Sequence, residues 1–378
     1  MVIHNWKAGR SFTARVFMVL VLSLLFSGRA GAQAGIQPGT QDMWSFLRER
    51  IKLTNEEIGG LQRGKTISKV LPSENHEVAV FGIVLVNAPA DFFVERFRDI
   101  ESYKKSTAVP IVKKFSDPPS IVDLAQLEVD QQDFDALKNC KVGACDVKLP
   151  AQIIERLQKE VNWTSRDAPR QVNWLARSAL LEYVKRYIAG GNAALSEYND
   201  KEKPLRIAEE FDAILEASPY IYDYQPQFYE YLRAYPEKHL ENVENFIYWS
   251  KEKFGLKPVI SVTHVSIYRP EPGLTLIASK QLYASHYFEA SLGLTVARAA
   301  PQSPGTGGPS FYLLYLNRSR SDALHGGFSG MVRGKVKDRS RKGAQESLEK
   351  IKLSVERLWK AITAERRNVD DETSRGIP

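Results

Sequence analysis

HEVAVFGIVLVNAPADFFVERFRDIESY, residues 76–103, is the stretch from which the fold of this chain is inferred. Its first part, residues 76–89, is rich in β-branched residues and ends in Asn-Ala-Pro, which predicts a buried strand followed by a turn. Its second part, residues 90–103, spaces phenylalanines and an isoleucine along one side of a helix that begins after Pro89. A strand that leads directly into a helix is therefore the first predicted unit.

The chain after this unit changes from short strands to a helical middle. Two strands, 109–115 and 121–129, are predicted on either side of a turn at Asp117-Pro118-Pro119. Residues 131–254 then carry mostly helical spacing, including the segment NVENFIYWSKEKFG at 242–255. No fixed-period repeat occurs in this middle part, so a solenoid is not predicted.

Long strands return from Lys257 onward. They are predicted at 259–270 and 273–299, joined by the turn Glu271-Pro272-Gly273, and at 310–321. The chain closes with a helix predicted over 341–364, whose apolar stripe lies opposite lysines, arginines and glutamates. Several strands and one strongly amphipathic helix must bury their apolar sides against each other, which predicts an α+β fold.

The order of these elements resembles the START-like (SRPBCC, helix-grip) superfamily. The resemblance rests on the strand that ends in Asn87-Ala88-Pro89-Ala90-Asp91, the helix after it, the antiparallel strands and the long C-terminal helix. It implies a curved antiparallel sheet packed on the C-terminal helix, with an apolar ligand in the space between them. It implies no shared catalytic residues, and the chain departs from the superfamily in carrying an all-helical insertion.

The predicted domain organisation combines these patterns with the composition of the two ends of the chain. In chain order we predict a signal peptide (1–34), a linker with a short N-terminal helix (35–75), the first part of a START-like domain (76–130), the helical insertion (131–256), the second part of that domain with the C-terminal helix (257–364) and a disordered tail (365–378).

The first residues of the chain have the pattern of a secretory signal. Residues 1–15 are basic, residues 16–26 (VFMVLVLSLLF) are apolar, and small residues at 30–34 suit a cleavage site. An apolar run of this length is short for spanning the roughly 30 Å of hydrocarbon in a bilayer. We therefore expect a secreted or periplasmic protein, with tethering through an uncleaved signal anchor as the alternative.

The net charge of +7 does not point to nucleic acid. Four of the 52 basic residues (Lys7, Arg10, Arg15 and Arg29) lie in the first 34 residues, which leaves 48 basic against 45 acidic residues in the remainder. An excess of this size is ordinary for a soluble protein, so no nucleic-acid partner is predicted.

Cys140 and Cys145, in the sequence NCKVGACD, are the two cysteines of the chain. In an oxidising compartment we expect them to form a disulfide, and Gly143 between them allows the turn. A metal site is disfavoured because no histidine is near and two sulfurs do not complete a tetrahedral zinc shell. A redox pair lacks the Cys-x-x-Cys spacing, so neither a metal nor a cofactor is predicted.

KQLYASHYFEASLGL, residues 280–294, contains the most informative histidine. If this stretch is one strand, Ser285 and Glu289 lie on the opposite face from His286, which argues against a nucleophile–base pair. Two roles then stay open for His286: a core histidine bonded to a backbone carbonyl or a tyrosine, or a polar anchor in an apolar ligand pocket. The apolar face of this strand is predicted to present Leu282, Ala284, His286 and Phe288.

The segment LNRSRSDALHGG, residues 316–327, is the second polar cluster. Arg318 and Arg320 share a predicted strand face with Asp322. They form either solvated ion pairs, which contribute little, or an anion clamp at a pocket mouth. The basic run at 333–342 is either the soluble start of a helix or a peripheral contact with an anionic membrane surface.

These features together predict a non-catalytic binding protein for a hydrophobic or amphipathic small molecule, such as a lipid. The polar contacts are expected from His286, Arg318 and Arg320. No G-x-S-x-G, P-loop or G-x-G-x-x-G motif occurs, which disfavours the enzymes that use them. Two alternatives stay open: an envelope interaction protein that docks through the tyrosine-rich segment 219–232, and an enzyme whose pocket joins His264, His286, Glu289 and Arg318.

Overall fold

The computed structural model describes residues 43–74, 76–254, 257–301, 308–324 and 329–375. The predicted signal peptide and cleavage site lie outside the described residues. Among the helices of these ranges, none is both long enough and apolar enough to cross a membrane.

The strands of the described residues form one large antiparallel sheet and one small pair. Strands β1 to β10 are, in chain order, Ile67–Leu71, Glu77–Val86, Ile111–Lys114, Glu197–Tyr198, Leu205–Arg206, Val243–Phe254, Lys257–Glu271, Leu274–Ala284, Phe288–Ala299 and Phe311–Ser321. The large sheet has eight described strands in the order β1-β2-β10-β9-β8-β7-β6-β3, while β4 and β5 pair separately. All recorded pairings within the large sheet are antiparallel.

The helices begin where the sequence offers suitable N-terminal residues. Helices α1 to α11 are, in chain order, Met43–Glu49, Asn55–Gln62, Ala90–Arg98, Ile100–Lys104, Gln131–Lys138, Ala151–Glu160, Ala168–Gly190, Ile207–Glu216, Pro219–Tyr224, Pro226–Arg233 and Ser329–Arg375. Thr54 and Glu57 form a reciprocal capping box at the start of α2. Proline stands in the first turn of α7, α9 and α10, where its missing N–H has no intrahelical partner to lose.

Helices cover both faces of the large sheet. We call the face that packs against α3, α4 and α11 the inner face, where Val84 and Phe311 contact the same apolar cluster as Leu348 of α11. The outer face is covered by α1, α2 and α7–α10, and there Phe81 belongs to one cluster with Phe228 of α10. Because both faces are buried, β2 is apolar on both sides and lacks the alternation of a half-exposed strand.

Helix α11 lies close to β2 at a glycine. A Cβ built on Gly82 would be 2.5 Å from Leu348 Cδ1, a separation that real side chains do not tolerate. The absence of a side chain at position 82 therefore lets α11 approach the inner face. The coarse prediction of a mixed helix and strand fold, with a large antiparallel sheet and a C-terminal helix, is confirmed.

The segment 242–255 was expected to be a helix of the insertion, and this prediction is wrong. Its residues 243–254 form β6, which pairs with β7 along its length and with β3. Phe246 and Tyr248 face inward, whereas Ile247 and Trp249 face outward into the cluster with α7. A strand buried on both faces needs apolar residues at neighbouring positions, and that spacing also fits a helix. The helical middle part of the chain thus ends before Val243.

The segment 273–299 was expected to be a single strand, and it is a hairpin. Strand β8 ends at Ala284, a turn occupies 285–287, and β9 begins at Phe288. The backbone of Tyr287 has a φ of 62°, in the left-handed region that reverses the chain. Strand alternation therefore does not extend through His286.

Three smaller expectations also change. Residues 121–124 form a 3₁₀ helix capped by Ser120 and Asp123, where a strand was expected. The region 35–75 contains α2 and β1 in addition to a first short helix. Helix α11 runs to Arg375, beyond the end at 364 that the spacing predicted.

Candidate functional site

A groove of about 620 Å³ lies on the inner face at the end where β7 turns into β8. Its walls come from α3, the start of β6 and the turn after Glu271. Val243, Ile267 and Leu274 line it together with charged and hydroxyl side chains, so the lining is mixed. The volume falls within the roughly 300–1,000 Å³ that is typical of small-molecule sites.

An ion pair fixes one wall of the groove. Arg98 of α3 donates from Nε and Nη2 to the two carboxylate oxygens of Glu244, at 2.6 and 2.8 Å. These hydrogen bonds raise the pKa of Arg98. Since Glu244 stands on β6, the pair holds α3 over the inner face, and the same guanidinium also contacts Glu95 of α3.

Arg269, near the end of β7, is the groove residue with unused donors. Its backbone N–H donates to the carbonyl of Asn242 at 3.0 Å. Its Nε and Nη2 atoms are buried, and no acceptor among the described residues is within hydrogen-bond distance of them. The Asp91 carboxylate is 3.8 Å from Nη2, which is an ion pair without a hydrogen bond. The two N–H groups on this edge of the guanidinium match the geometry of a carboxylate or phosphate.

Aromatic side chains of α3 separate the groove from a polar cluster deeper on the inner face. Phe93 and Phe97 pack with Val265 in the inner cluster. Beyond them, Lys104 Nζ donates to Glu252 at 2.7 Å and to the Tyr248 hydroxyl at 3.1 Å. Burial opposes the charge on the lysine, but Tyr248 and Glu252 outweigh burial and raise the pKa of Lys104.

The hydroxyls of Tyr103 and Tyr315 near this ion pair stay protonated. Burial raises the pKa of Tyr315 to about 12 and also raises that of Tyr103. Burial also raises the pKa of Glu252, yet Lys104 and the hydroxyls of Ser250 and Ser261 lower it further, so the carboxylate stays charged. This part of the inner face is therefore polar, unlike the apolar space that the resemblance implies.

No protein-family model, no curated protein and no solved structure matches the chain. The function must therefore be argued from the residues of this chain and the distances between them.

His286 lies in the turn between β8 and β9 and is buried. Its Nε2 is 2.9 and 3.0 Å from the two carboxylate oxygens of Asp133 on α5. The partner is thus a carboxylate from the insertion, where a carbonyl or a tyrosine was expected. The neighbouring Ser285 is also fixed, because its N–H donates to the Ile260 carbonyl at 2.9 Å and its hydroxyl accepts from the Ile260 N–H at 3.0 Å.

Leu282, Ala284 and Phe288 do not line one continuous apolar face with His286. Thr263 pairs with Gln281 and Val262 pairs with Tyr283, so Leu282 is the extra residue of a β-bulge. The bulge shifts the alternation by one, and the turn after Ala284 ends it. Leu282 and Ala284 are fully buried, whereas Phe288 is partly exposed. None of the three is among the groove residues.

Arg318 and Arg320 are on the outer face, away from α11, and are buried. Both contact the fully buried carboxylate of Glu77, Arg318 at Oε1 and Arg320 Nε at 3.4 Å from Oε2. Arg320 also donates to Glu210 at 2.9 Å and to Glu74 at 2.9 Å. The two arginines thus belong to a buried ion cluster rather than to solvated ion pairs. Whether they bind a ligand stays a prediction.

Three possible metal ligands gather beside this cluster. Ligand atoms of His76, Glu210 and Glu289 all lie within 4.8 Å of one another, the one such group found among the described residues. Arg320 donates to the Glu210 carboxylate at 2.9 Å. The guanidinium charge at that distance opposes a cation, so the arrangement does not favour a metal.

The four residues of the enzyme alternative have different partners. His264 accepts a hydrogen bond at Nδ1 from the Tyr187 hydroxyl at 2.8 Å and donates from Nε2 to Asn245 Oδ1 at 3.0 Å. His286 pairs with Asp133, Arg318 with Glu77, and Glu289 lies near His76. The structure therefore separates His264 and His286 from each other and from Arg318 and Glu289, which belong to neighbouring parts of one ion cluster.

The remaining predicted surfaces are helical. Residues 219–232 form α9 and α10, and Phe228 and Tyr231 are buried in the outer cluster, although Tyr222 is exposed. The basic run at 333–342 lies in the first turns of α11, where Asp338 pairs with Arg341 and Lys342.

The sulfur atoms of Cys140 and Cys145 are bonded, and the two Cα atoms are 4.6 Å apart.

Sequence reasoning missed Arg98 and Arg269. Both stand beside elements that were predicted, the helix after Pro89 and the turn at 271–273. Charged residues that flank a hairpin turn are common on surfaces, so their spacing carries no signal of a groove. Arg98 and Arg269 are brought to one groove because α3 packs over the ends of β6–β8. That packing depends on the order of the strands in the large sheet, which local spacing does not reveal.

Proposed function

We propose that the sheet and its C-terminal helix form a helix-grip fold of the START-like superfamily. The support is the order of elements: β2, then α3 and α4, then β3, the consecutive strands β6–β10, and α11 last. In the sheet, β2 and β3 lie at opposite sides of the meander β10-β9-β8-β7-β6, and β1 adds one strand beside β2. The insertion leaves the sheet after β3 and returns at β6.

We propose that the protein binds an amphipathic small molecule, such as a lipid with an acidic headgroup, and carries out no chemistry on it. The observation that carries this proposal is the inner-face groove with two unpartnered N–H groups of Arg269. The acidic head would accept from Nε and Nη2, and the apolar part would lie on Ile267. Burying two guanidinium donors without an acceptor is costly, and such a head supplies the acceptor.

The compartment proposed for this activity is outside the cytoplasm. It rests on the basic, apolar and small-residue pattern at 1–34 and on the Cys140–Cys145 disulfide, a bond that persists in oxidising compartments. A protein that carries an amphipathic molecule between membranes would act there.

Laurate, dodecyl phosphate and dodecanol test the proposal. These probes share one chain length and differ in the head, and their binding can be followed by calorimetry and by native mass spectrometry. We expect the two acids to bind more tightly than dodecanol. Arg269→Gln should lower the affinity for laurate and dodecyl phosphate by about 10- to 100-fold. The reason is that hydrogen bonds to a charged group contribute roughly 1.5–3 kcal/mol to binding.

Arg170→Gln is the control. Arg170 is exposed on α7, pairs with Asp167, and neither residue of this pair lines the groove. The change should leave the binding of all three probes unchanged. The proposal fails if the acids and dodecanol bind equally, if none of them binds, or if Arg170→Gln weakens binding as much as Arg269→Gln.

A further inference from the structure

A second cavity lies on the outer face, within the insertion. It has a volume of about 290 Å³ and is enclosed by α5, α6, α7 and the ends of β7 and β8. Its lining is predominantly apolar and well buried, and includes Leu137, Val147, Leu157, Val172, Leu175 and Leu180. The sheet separates this cavity from the inner-face groove, so the two sites are independent.

One buried carboxylate stands in the wall of this mainly apolar cavity, whereas Glu182 lies exposed at its mouth. Asp133 lines it and is 4% exposed. Its carboxylate is held by His286 Nε2 at 2.9 and 3.0 Å. A carboxylate has about four lone-pair sites, and one N–H shared between its oxygens leaves acceptor capacity toward the cavity. Asp133 thus supplies a fixed acceptor in otherwise apolar surroundings.

The turn at 285–287 holds this acceptor in place. The carbonyl of Ser285 accepts from the Lys148 N–H at 3.0 Å, which ties the turn to the chain that enters α6. Ser285 also lines the cavity. The position of Asp133 is therefore set by the sheet through His286 and not only by α5.

The size and the mouth of the cavity limit its ligand. An engineered apolar cavity of about 150 Å³ binds benzene, so a cavity of about 290 Å³ has room for about two fused rings. Gln152, Arg156, Glu182 and Arg186 also line it and are exposed or partly exposed, which places the opening between α6 and α7. The mouth carries both positive and negative side chains, so it does not favour a ligand of either charge.

We propose that this cavity binds a small, uncharged, predominantly apolar molecule with one hydroxyl group that donates to Asp133. An apolar body of about two rings fills the space, and the hydroxyl reaches the acceptor. A carboxylate in the same position would face a second carboxylate in an apolar site, which disfavours an acidic ligand. This site does not depend on the function proposed for the groove.

2-Naphthol, naphthalene and 2-naphthoate test the assignment by calorimetry and thermal shift on the purified protein at pH 7. 2-Naphthol should bind, naphthalene should bind about 10- to 100-fold more weakly because it lacks the donor to a charged carboxylate, and 2-naphthoate should bind most weakly. Equal binding of 2-naphthol and naphthalene, or tighter binding of 2-naphthoate, overturns the role of Asp133. No binding of any of the three overturns the site.

Variants locate the binding. Ala176→Phe places a ring in the cavity from α7 and should abolish binding of 2-naphthol, while Ala189→Phe, on an exposed part of the same helix, should not. Asp133→Asn keeps the shape and removes the charge, so 2-naphthoate should bind at least several-fold better than to the unaltered protein. Arg269→Gln should leave 2-naphthol binding unchanged, and a loss there would place the ligand in the groove instead.

Discussion

His264 shows how one buried residue makes the stability of this protein depend on pH. Burial lowers the pKa of His264 to about 3, and Lys280 on the neighbouring strand acts in the same direction. The hydrogen bonds from Tyr187 and to Asn245 fit the neutral ring in a single tautomer. In the unfolded chain the ring regains its ordinary pKa of 6.5. Between these two values the unfolded state binds more protons than the folded state.

The free energy of unfolding should therefore rise with pH between about 3 and 6.5 and be full above that window. On going from pH 7 to pH 4, His264 alone should account for a loss of about 3 kcal/mol. His264→Gln should reduce the difference between the two pH values by that amount, measured by urea unfolding. The exposed His239 provides the control variant His239→Gln. An unchanged difference in His264→Gln would contradict the prediction.

For single residues, the sequence indicated which polar side chains lie in apolar segments, but not which residues they contact. His286, Arg318 and Arg320 stood out as polar groups in apolar strands, and all three are buried. Their partners come from far along the chain, as with Asp133, 153 residues from His286. Nothing in the local spacing marks Asp133, since its own helix is otherwise ordinary. Arg269 lay within the strand predicted at 259–270 and was not singled out.

At the scale of elements, the contact between α11 and β2 predicts a measurable coupling. Gly82→Ala puts a Cβ against Leu348 and should destabilise the protein by about 1–3 kcal/mol through overpacking. Leu348→Ala should lower the free energy of unfolding by about 2–5 kcal/mol, because it replaces a buried leucine with a smaller side chain. In the double variant the new methyl group occupies space that Leu348 has left. The cost should therefore be at least about 1 kcal/mol less than the sum of the two single variants.

Gly343→Ala is the control for this cycle. A Cβ at Gly343 meets no atom within 4 Å, so alanine there should slightly stabilise α11, by up to about 1 kcal/mol, and should not couple to Leu348. If the losses in the free energy of unfolding from Gly82→Ala and Leu348→Ala add, α11 does not pack against Gly82 as described. Denaturant unfolding of the variants gives each free energy.

The elements that were predicted correctly carry strong local signals. Strand β2, the helix after Pro89, the turn before β8 and the amphipathic part of α11 all follow from spacing or turn residues. β6 was misread because burial on both faces removes the alternation that identifies a strand. The β8–β9 turn was missed because it contains no glycine, proline or asparagine, and Tyr287 adopts a positive φ that tyrosine rarely shows.

At the scale of the whole molecule, the two helical layers share one sheet. The described residues all belong to one compact unit, 38–378. Phe228→Ala in the outer layer should cost about 3–5 kcal/mol, and Leu348→Ala in the inner layer about 2–5 kcal/mol. Because both layers rest on the same strands, each change should shift a single unfolding transition.

Far-ultraviolet circular dichroism and tryptophan fluorescence check this expectation, since Trp249 is buried on the outer face. The two signals should change at the same denaturant concentration in the unaltered protein and in both variants. Two separated transitions, with Phe228→Ala moving one and Leu348→Ala the other, would show that the insertion unfolds on its own.

The position of β2 between β1 and β10 has a consequence for how the chain folds. β2 pairs with residues 311–320, which are synthesised more than 200 residues later. The strands β6–β10 are neighbours both in sequence and in the sheet, so they can pair through short-range contacts. The edge of β2 that pairs with β10 stays unpaired until this last strand has been synthesised. An unpaired apolar edge invites association with other chains. Delayed closure of this edge therefore leaves the nascent chain open to association with other chains until β10 has emerged.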